Sequence, residues 1–347
     1  MAHLIFAVPG DLATLTGGYA YAREIIRCWK SAGHSVRHIP LGEGFPSPSQ
    51  DVLEDACRQL AATPEDATIL IDGLAYGVLP AAFLQQTRRR WLALVHHPLA
   101  LETGIAPAEQ IALKVSEQAA LVEAAHIVVT SPATARELVT SYAVSEQKVT
   151  VALPGVEAAG RATGGGDVPV LLSVGTLTRR KGHDVLVAAL SELRDLDWKC
   201  RFVGSTGRDP AVTDNLRRAI AGAGLEQRIE IVGEVDSDGL QDEYRQADIF
   251  VLASRYEGYG MVFAEAMAHG LPVIACHAGA VPETVPDSAG ILVPVDDPAA
   301  LAQAVGLMLR DPSRRQMLAD GAWLHGQGLA RWPDTAKTIS DIMEQTA

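Results

Sequence analysis

The sequence predicts two α/β domains, each an open parallel sheet wrapped by helices. Three observations lead there: a length of 347 residues, short aliphatic runs alternating with segments of helical period, and one glycine-rich break near the middle of the chain. A chain this long exceeds what one hydrophobic core usually serves, so two domains of ordinary size are expected. Aliphatic runs separated by helical stretches are the pattern of βαβ units, whose parallel strands lie buried between helices.

In the first half the strand candidates are Leu4–Val8, Ser35–Ile39, Thr68–Ile71, Trp91–Val95, Ile127–Val129 and Val149–Val151, with helices such as Tyr19–Ser31 and Pro107–Ala124 between them. The segment from Glu157 to Val168 holds Gly160, Gly164, Gly165 and Gly166 and has neither period nor aromatic anchor. It predicts a flexible linker and a boundary between domains over 1–157 and 158–330. Beyond it the alternation restarts with Val170–Val174, Arg201–Val203, Ile229–Val232, Ile249–Leu252, Val273–Ala275 and Ile291–Val293. Two such sheets facing each other across a cleft bring their strand ends to it, and open parallel sheets bind ligands at the carboxyl ends of their strands.

Composition narrows the function. With 48% hydrophobic and 20% charged residues the chain is that of a globular protein, and a net charge of −13 leaves no basic face for a phosphodiester backbone, so nucleic acid is excluded as a partner. The one dense basic run, Arg88, Arg89 and Arg90, reads as solvated surface, with anionic lipid headgroups as the alternative. Cys28, Cys57, Cys200 and Cys276 lack CxxC spacing and read as reduced core residues. Neither a secretory leader nor an apolar run of about 18 residues is present. A cytoplasmic protein is expected, with peripheral contact at the inner membrane left open.

The most informative segment runs from Ser254 to Gly270. A strand ends near Leu252, a loop with Gly258 and Gly260 follows, and a helix starts near Gly260. The N–H groups of Gly260, Met261 and Val262 at that helix start suit an anion, which the helix dipole also favours. Glu257 and Glu265 are eight residues apart, one in the loop and one more than a turn inside the helix, so they reach opposite ends of one ligand. Glu257 suits sugar hydroxyls and Glu265 a ribose, because an ionised carboxylate only accepts hydrogen bonds. Met261, Val262, Phe263, Ala264, Ala266 and Met267 flank Glu265, and a carboxylate in so apolar a run needs a partner.

A second segment, Ser173 to Leu186, follows the first strand after the break and carries Arg179, Arg180 and Lys181 before Gly182. Its three cations suit the diphosphate expected beside the helix start at Gly260. Near the start of the chain Gly17 and Gly18 follow the first strand and open a helix, where backbone approaches a ligand closely. His96 and His97 end the strand Trp91–Val95 and lie at the expected cleft edge. As neighbours on an extended chain they point apart, which argues against a shared metal. Asp195-Leu196-Asp197 and Asp236-Ser237-Asp238 read as a turn and as helix N-caps rather than as metal pairs. No P-loop, G-x-G-x-x-G after a strand, or G-x-S-x-G is present.

The segment from Glu257 to Glu265 resembles the Glu-x7-Glu signature of retaining glycosyltransferases with the GT-B fold, family 4 (glycosyl transferases group 1), and the resemblance spans most of the chain. It implies two Rossmann-like domains, an acceptor domain first and a donor domain second, with a C-terminal helix over about 331–347 packing back on the first. It implies that Glu257 contacts the transferred sugar, Glu265 the ribose, and the loop through Gly258, Tyr259, Gly260, Met261 and Val262 the diphosphate and sugar. The segment around Lys181 resembles the family's Gly-Arg-Leu-x-x-x-Lys-Gly, except that Thr176 stands where the family has Arg. Arg180, Arg179 and Arg255, in that order, are the candidates to replace it. Gly204 and the run Gly233, Glu234 and Val235 resemble the loops on the nucleotide side, while Gly17, Gly18 and a histidine, His96 or His97, face the donor.

The function so implied is metal-independent transfer of a hexose, with retention, from a UDP- or GDP-hexose to a hydroxyl of a glycan, lipid or small molecule. No cofactor beyond that co-substrate is expected. A nucleotide-sugar epimerase using His96, His97 and Glu257 as acid and base groups stays open, as does a catalytically silent sugar-nucleotide-binding subunit.

Overall fold

Each predicted strand forms within two residues of its predicted ends, and every strand pair is parallel, in the computed structural model, which describes residues 3–86 and 89–346. The chain divides into two units, Met1–Gly155 with Ala330–Ala347, and Val156–Leu329.

The first unit runs β1 (His3–Val8), α1 (Gly17–Ser31), β2 (Ser35–Pro40), α2 (Gln50–Ala61), β3 (Thr68–Asp72), α3 (Gly73–Tyr76), α4 (Ala81–Gln85), β4 (Arg90–Val95), α5 (Pro107–Val122), β5 (His126–Val129), α6 (Pro132–Ser141) and β6 (Val149–Val151). Its sheet has the order β2-β1-β3-β4-β5-β6. The direction of strand succession reverses between β1 and β3, so the loops leaving those two strands meet at one crevice. All five residues of β3 are buried, as helices on both faces require.

The second unit runs β7 (Val170–Val174), α7 (His183–Ser191), β8 (Lys199–Val203), α8 (Pro210–Gly222), β9 (Ile229–Gly233), α9 (Ser237–Gln246), β10 (Ile249–Leu252), α10 (Met261–Ala268), β11 (Val273–Cys276), α11 (Val281–Thr284), β12 (Gly290–Val293), α12 (Pro298–Arg310) and α13 (Pro312–Gln327). Its order is β12-β11-β10-β7-β8-β9, with the reversal between β7 and β10. Counted from β7 this is the 3-2-1-4-5-6 order of dinucleotide-binding folds.

The last helix, α14 (Trp332–Gln345), belongs to the first unit and packs on α1. The Trp29 indole donates to Ala336 O at 2.8 Å, Thr335 Oγ1 donates to Leu153 O at 2.7 Å, and Trp332 meets the edge of Tyr21 at 5.5 Å.

Two expectations need correction. The segment over 157–168 is irregular but not a free linker. Ala162 N donates to His269 O and Thr163 N to Arg245 O, both at 2.8 Å, while the Asp248 carboxylate accepts from Gly165 N at 3.0 Å and from Val170 N at 2.8 Å. Its glycines turn the chain along the surface of the second unit, and the division between units lies two residues earlier, at Gly155 and Val156. The basic run also differs in part from solvated surface. Arg88 lies outside the described residues, but Arg89 donates to Ala61 O and Thr63 Oγ1, and Arg90 to Asp66 O and Thr68 Oγ1. These two guanidinium groups staple the ends of α2 and β3.

Candidate active site

Lys181 and Glu257 stand 76 residues apart in sequence, and the strand order brings them together. Lys181 lies in the loop leaving β7 and Glu257 in the loop leaving β10, and β7 and β10 are the two neighbours at which the second sheet reverses. Gly182 makes the close approach of these loops feasible. At φ 64° it is left-handed, and a Cβ there would lie 2.0 Å from Ala253 O, so only glycine fits without displacement.

Glu257 is 5% exposed and holds three donors. Lys181 Nζ lies 2.6 Å from Oε1, Ser254 Oγ 2.6 Å from the same oxygen, and Arg180 Nη1 3.2 Å from Oε2. Burial alone would raise its carboxyl, but the charges of Lys181 and Arg180 and the hydrogen bonds from Lys181 and Ser254 outweigh that and hold it at about 2. It is therefore ionised at any physiological pH. Two cations against one carboxylate leave a net positive charge in this crevice, where a polyanion is stabilised. Arg180 also donates to Tyr256 O at 2.9 Å, and Glu257 O accepts from Ala280 N at 2.9 Å, so the loop is held on both sides.

α10 begins immediately after this cluster. Gly260 is its N-cap at φ 85°, where a Cβ would collide with the Phe263 ring at 2.4 Å, so glycine lets the helix start close to the loop. The first N–H groups of such a helix have no intrahelical acceptor and point outward with the positive end of the dipole. Glu265 sits one turn on. Its Oε2 accepts from the buried Tyr244 hydroxyl at 2.8 Å, which supplies the partner that its apolar flanks demand. Burial pushes the Glu265 carboxyl up, while Tyr244 and the charge of Lys181 pull it back.

The other nucleotide-side candidates end the neighbouring strands. Gly204 N donates to Gly233 O at 2.8 Å and Gly175 N to Val203 O at 2.8 Å, joining the loops after β7, β8 and β9 into one rim. Glu234 on that rim is exposed and Val235 half-buried, with Gly258 and Tyr259 buried under the Glu257 loop.

In the first unit the reversal between β1 and β3 gathers a separate group. His96 Nε2 lies 3.4 Å from Asp72 Oδ2, its ring meets the edge of Tyr21 at 5.3 Å, and a Cβ on Gly18 would lie 3.6 Å from the imidazole. Gly17 opens α1 beside it. His97 turns the other way, with Nε2 3.6 Å from Glu102 Oε2 on the loop after β4. His96, rather than His97, shares the crevice with Gly18.

Of the three candidates to replace the missing arginine at Thr176, Arg180 is in the cluster, Arg179 is exposed, and Arg255 is committed elsewhere. Arg255 grips Asp184 through both terminal nitrogens, at 3.1 and 2.9 Å, and Asp296 through Nε at 2.7 Å, which removes it as a candidate. Asp236 is the N-cap of α9, accepting from Gly239 N at 2.8 Å. Among the described residues no group of three or more His, Cys, Asp or Glu is placed to hold a metal. The cysteines are free, with Cys28, Cys200 and Cys276 buried and Cys57 half-buried.

Sequence reasoning missed Ser254, Tyr244 and Asp72. Ser254 and Asp72 each stand just beyond or at the carboxyl end of a buried strand, a position that marks a polar residue for attention. Nothing local singles out Tyr244.

A family model described as glycosyl transferases group 1 matches residues 168–311. The D-inositol 3-phosphate glycosyltransferase 1 of Catenulispora acidiphila is 32% identical over 337 residues, covering 88% of this chain and 80% of that one. The D-inositol 3-phosphate glycosyltransferase of Salinispora tropica is 30% identical, covering 89% and 72%. Among solved structures, sucrose-phosphate synthase from Thermosynechococcus elongatus superposes with a TM-score of 0.84 at 24% identity, covering 99% of this chain and 98% of that one. HepE from Anabaena in complex with UDP-glucose gives 0.81 at 18% identity, covering 99% and 100%. The fold is that of the GT-B glycosyltransferases. The chain belongs to the glycosyl transferases of group 1, and it is a glycosyltransferase.

Proposed function

We propose that the protein transfers a hexose from a nucleotide-diphosphate sugar to an acceptor hydroxyl, with retention of anomeric configuration and without a resident metal. The observation that carries this reading is the Lys181, Arg180 and Glu257 cluster beside the amino end of α10. The diphosphate rests on the helix start, and Lys181 and Arg180 neutralise the charge that builds on it as the anomeric bond breaks. Arg180 takes the place of the arginine replaced by Thr176. Fixed cations and helix N–H groups do here what a divalent ion does elsewhere.

Glu257 holds both cations and presents its loop to the sugar, and Glu265 takes the ribose hydroxyls. Gly204 and the Gly233 to Val235 rim line the base. With Glu257 tied to its cations, the departing phosphate oxygen is the group that accepts the acceptor's proton. In the first unit Gly17, Gly18 and His96 serve the acceptor and the reacting sugar. Relatives bearing the name D-inositol 3-phosphate glycosyltransferase make a cyclitol phosphate the first acceptor to try, with glycan and lipid hydroxyls next. Among the described residues no helix is long and apolar enough to cross a membrane, and contact with a membrane surface would be peripheral.

Thermal-shift measurement against UDP-, GDP- and ADP-hexoses identifies the donor, since a ligand at about 100 times its Kd stabilises by about 2.7 kcal/mol. Proton NMR of the product formed with that donor then reads the anomeric configuration. An inverted product overturns the mechanism. Epimerised donor in the absence of acceptor, or binding with no turnover on any acceptor, overturns the reaction itself.

A further inference from the structure

The hydroxyl of Tyr244 lies deep in the second unit and does nothing that packing requires. Tyr244, on α9, is fully buried. Its ring stacks on His269 at 4.9 Å and 18° and leans on Phe250 at 6.1 Å. A phenylalanine would fill that space equally well. The hydroxyl adds only a donor, and its short bond is to Glu265 Oε2 at 2.8 Å, with Val262 O a distant second at 3.4 Å.

The ring is itself held in register with its target. His269 Nδ1 lies 2.8 Å from Glu265 O. A carbonyl cannot donate, so Nδ1 carries the proton and adds a second donor to a carbonyl that already accepts from His269 N at 3.2 Å at the end of α10. Its Nε2 lies 2.9 Å from Gln241 Oε1, so the ring is held at both nitrogens, and burial lowers the His269 pKa. The backbone of Glu265 thus positions His269, His269 positions the Tyr244 ring, and the Tyr244 hydroxyl returns to the Glu265 carboxylate. Oε1 of that carboxylate has no donor among the described residues.

We infer that Tyr244 is the positioning residue that aims Glu265 at the nucleotide ribose and thereby sets the preference of the donor site for ribonucleotides over 2′-deoxyribonucleotides. This rests on the reading of Glu265 as the ribose ligand. Tyr244 occupies one lone pair of Oε2 and fixes the carboxylate plane, and Oε1 with the remaining lone pair of Oε2 is presented to the vicinal hydroxyls. Without Tyr244 the carboxylate turns freely or takes up a proton, and in either case it ceases to be a fixed double acceptor.

The test is calorimetric titration of the full chain with UDP and 2′-deoxy-UDP, and with GDP and 2′-deoxy-GDP should UDP not bind. The wild type is expected to prefer the ribose form by about tenfold, the value of one hydrogen bond to a charged group at the low end of its range. Tyr244→Phe, which keeps the ring, should weaken the ribonucleotide by about tenfold and reduce the preference to within about threefold. Glu265→Asp keeps the charge but withdraws it from Tyr244 by one methylene, and it should lose the preference as well. It serves as the second variant should Tyr244→Phe not fold. In turnover, Tyr244→Phe should raise the donor KM and leave kcat within about twofold, because a ribose contact is shared by ground and transition states.

A Tyr244→Phe or Glu265→Asp protein with the wild-type preference overturns the role of Tyr244. Glu265→Gln separates that failure from failure of the underlying reading. If Glu265→Gln loses the preference while Tyr244→Phe keeps it, only Tyr244 is misassigned. Should Glu265→Gln bind both nucleotides as the wild type does, the ribose assignment falls and this inference falls with it.

Discussion

Glu117→Gln should stabilise the protein at neutral pH, and the gain should grow as pH rises. Glu117 lies on α5 at 1% exposure, and its Oε2 accepts from Leu99 N at 2.9 Å. Burial raises its pKa from 4.5 to about 8, with the Leu99 N–H and the Tyr142 hydroxyl pulling back only in part. The folded state therefore keeps a proton that the unfolded state releases, and stability present below pH 4.5 is lost as pH rises toward 8. With those two values, linkage gives a loss of about 2.5 kcal/mol between roughly pH 5.5 and pH 7.5. The amide that replaces the carboxyl in this variant cannot titrate, yet its carbonyl can still accept from Leu99 N. Urea unfolding of both proteins, followed by tryptophan fluorescence across that range, should give curves that diverge by about this amount. Curves that stay parallel would mean that Glu117 is ionised in the folded protein and that the reasoning is wrong.

Three further outcomes follow from the geometry. Lys181→Met should lower kcat by about a hundred- to a thousandfold while leaving donor affinity less affected, because its charge is used mainly as the leaving group departs; steady-state kinetics with the identified donor reads this. Gly182→Ala forces a Cβ toward Ala253 O at a left-handed position and should cost roughly 2 to 4 kcal/mol by thermal melting, with loss of turnover as the loops after β7 and β10 part. His183 is fully buried, and burial first, then the Lys181 charge, lower its pKa to about 4, so stability present above 6.5 is lost as pH falls toward 4. His183→Phe should flatten that acid limb by about 2 kcal/mol in unfolding free energies measured at roughly pH 5 and pH 7, and an unchanged limb would place the loss in other groups.

The strands are legible because parallel strands buried on both faces read as short aliphatic runs with little else in them, as Ile249–Leu252 and Val273–Cys276 do. The individual site positions are legible where chemistry is local, as at Gly260 before its helix. Their partnerships are not. In sequence Lys181 and Glu257 are separate contacts to one ligand, and that they bind each other depends on strand order, which no local pattern records. Tyr244 reaches Glu265 across 21 positions and Asp72 reaches His96 across 24, so periodicity is silent about both. The break over 157–168 misleads because glycine content predicts permissive backbone but not the fixed acceptors, Arg245 O and Asp248, that hold it.

The return of α14 to the first unit has a consequence for how the chain is made. The second unit is one uninterrupted stretch, whereas the first is completed only by residues that follow it. During synthesis the second unit can close on its own as it emerges, while Trp29 and Tyr21 wait for Ala336 and Trp332 to be added some three hundred positions after them. An isolated piece cut at Leu329 from Val156 keeps all of its own strands and helices. One cut after Gly155 would carry its sheet into water with the α1 face bare, and would be the half that aggregates.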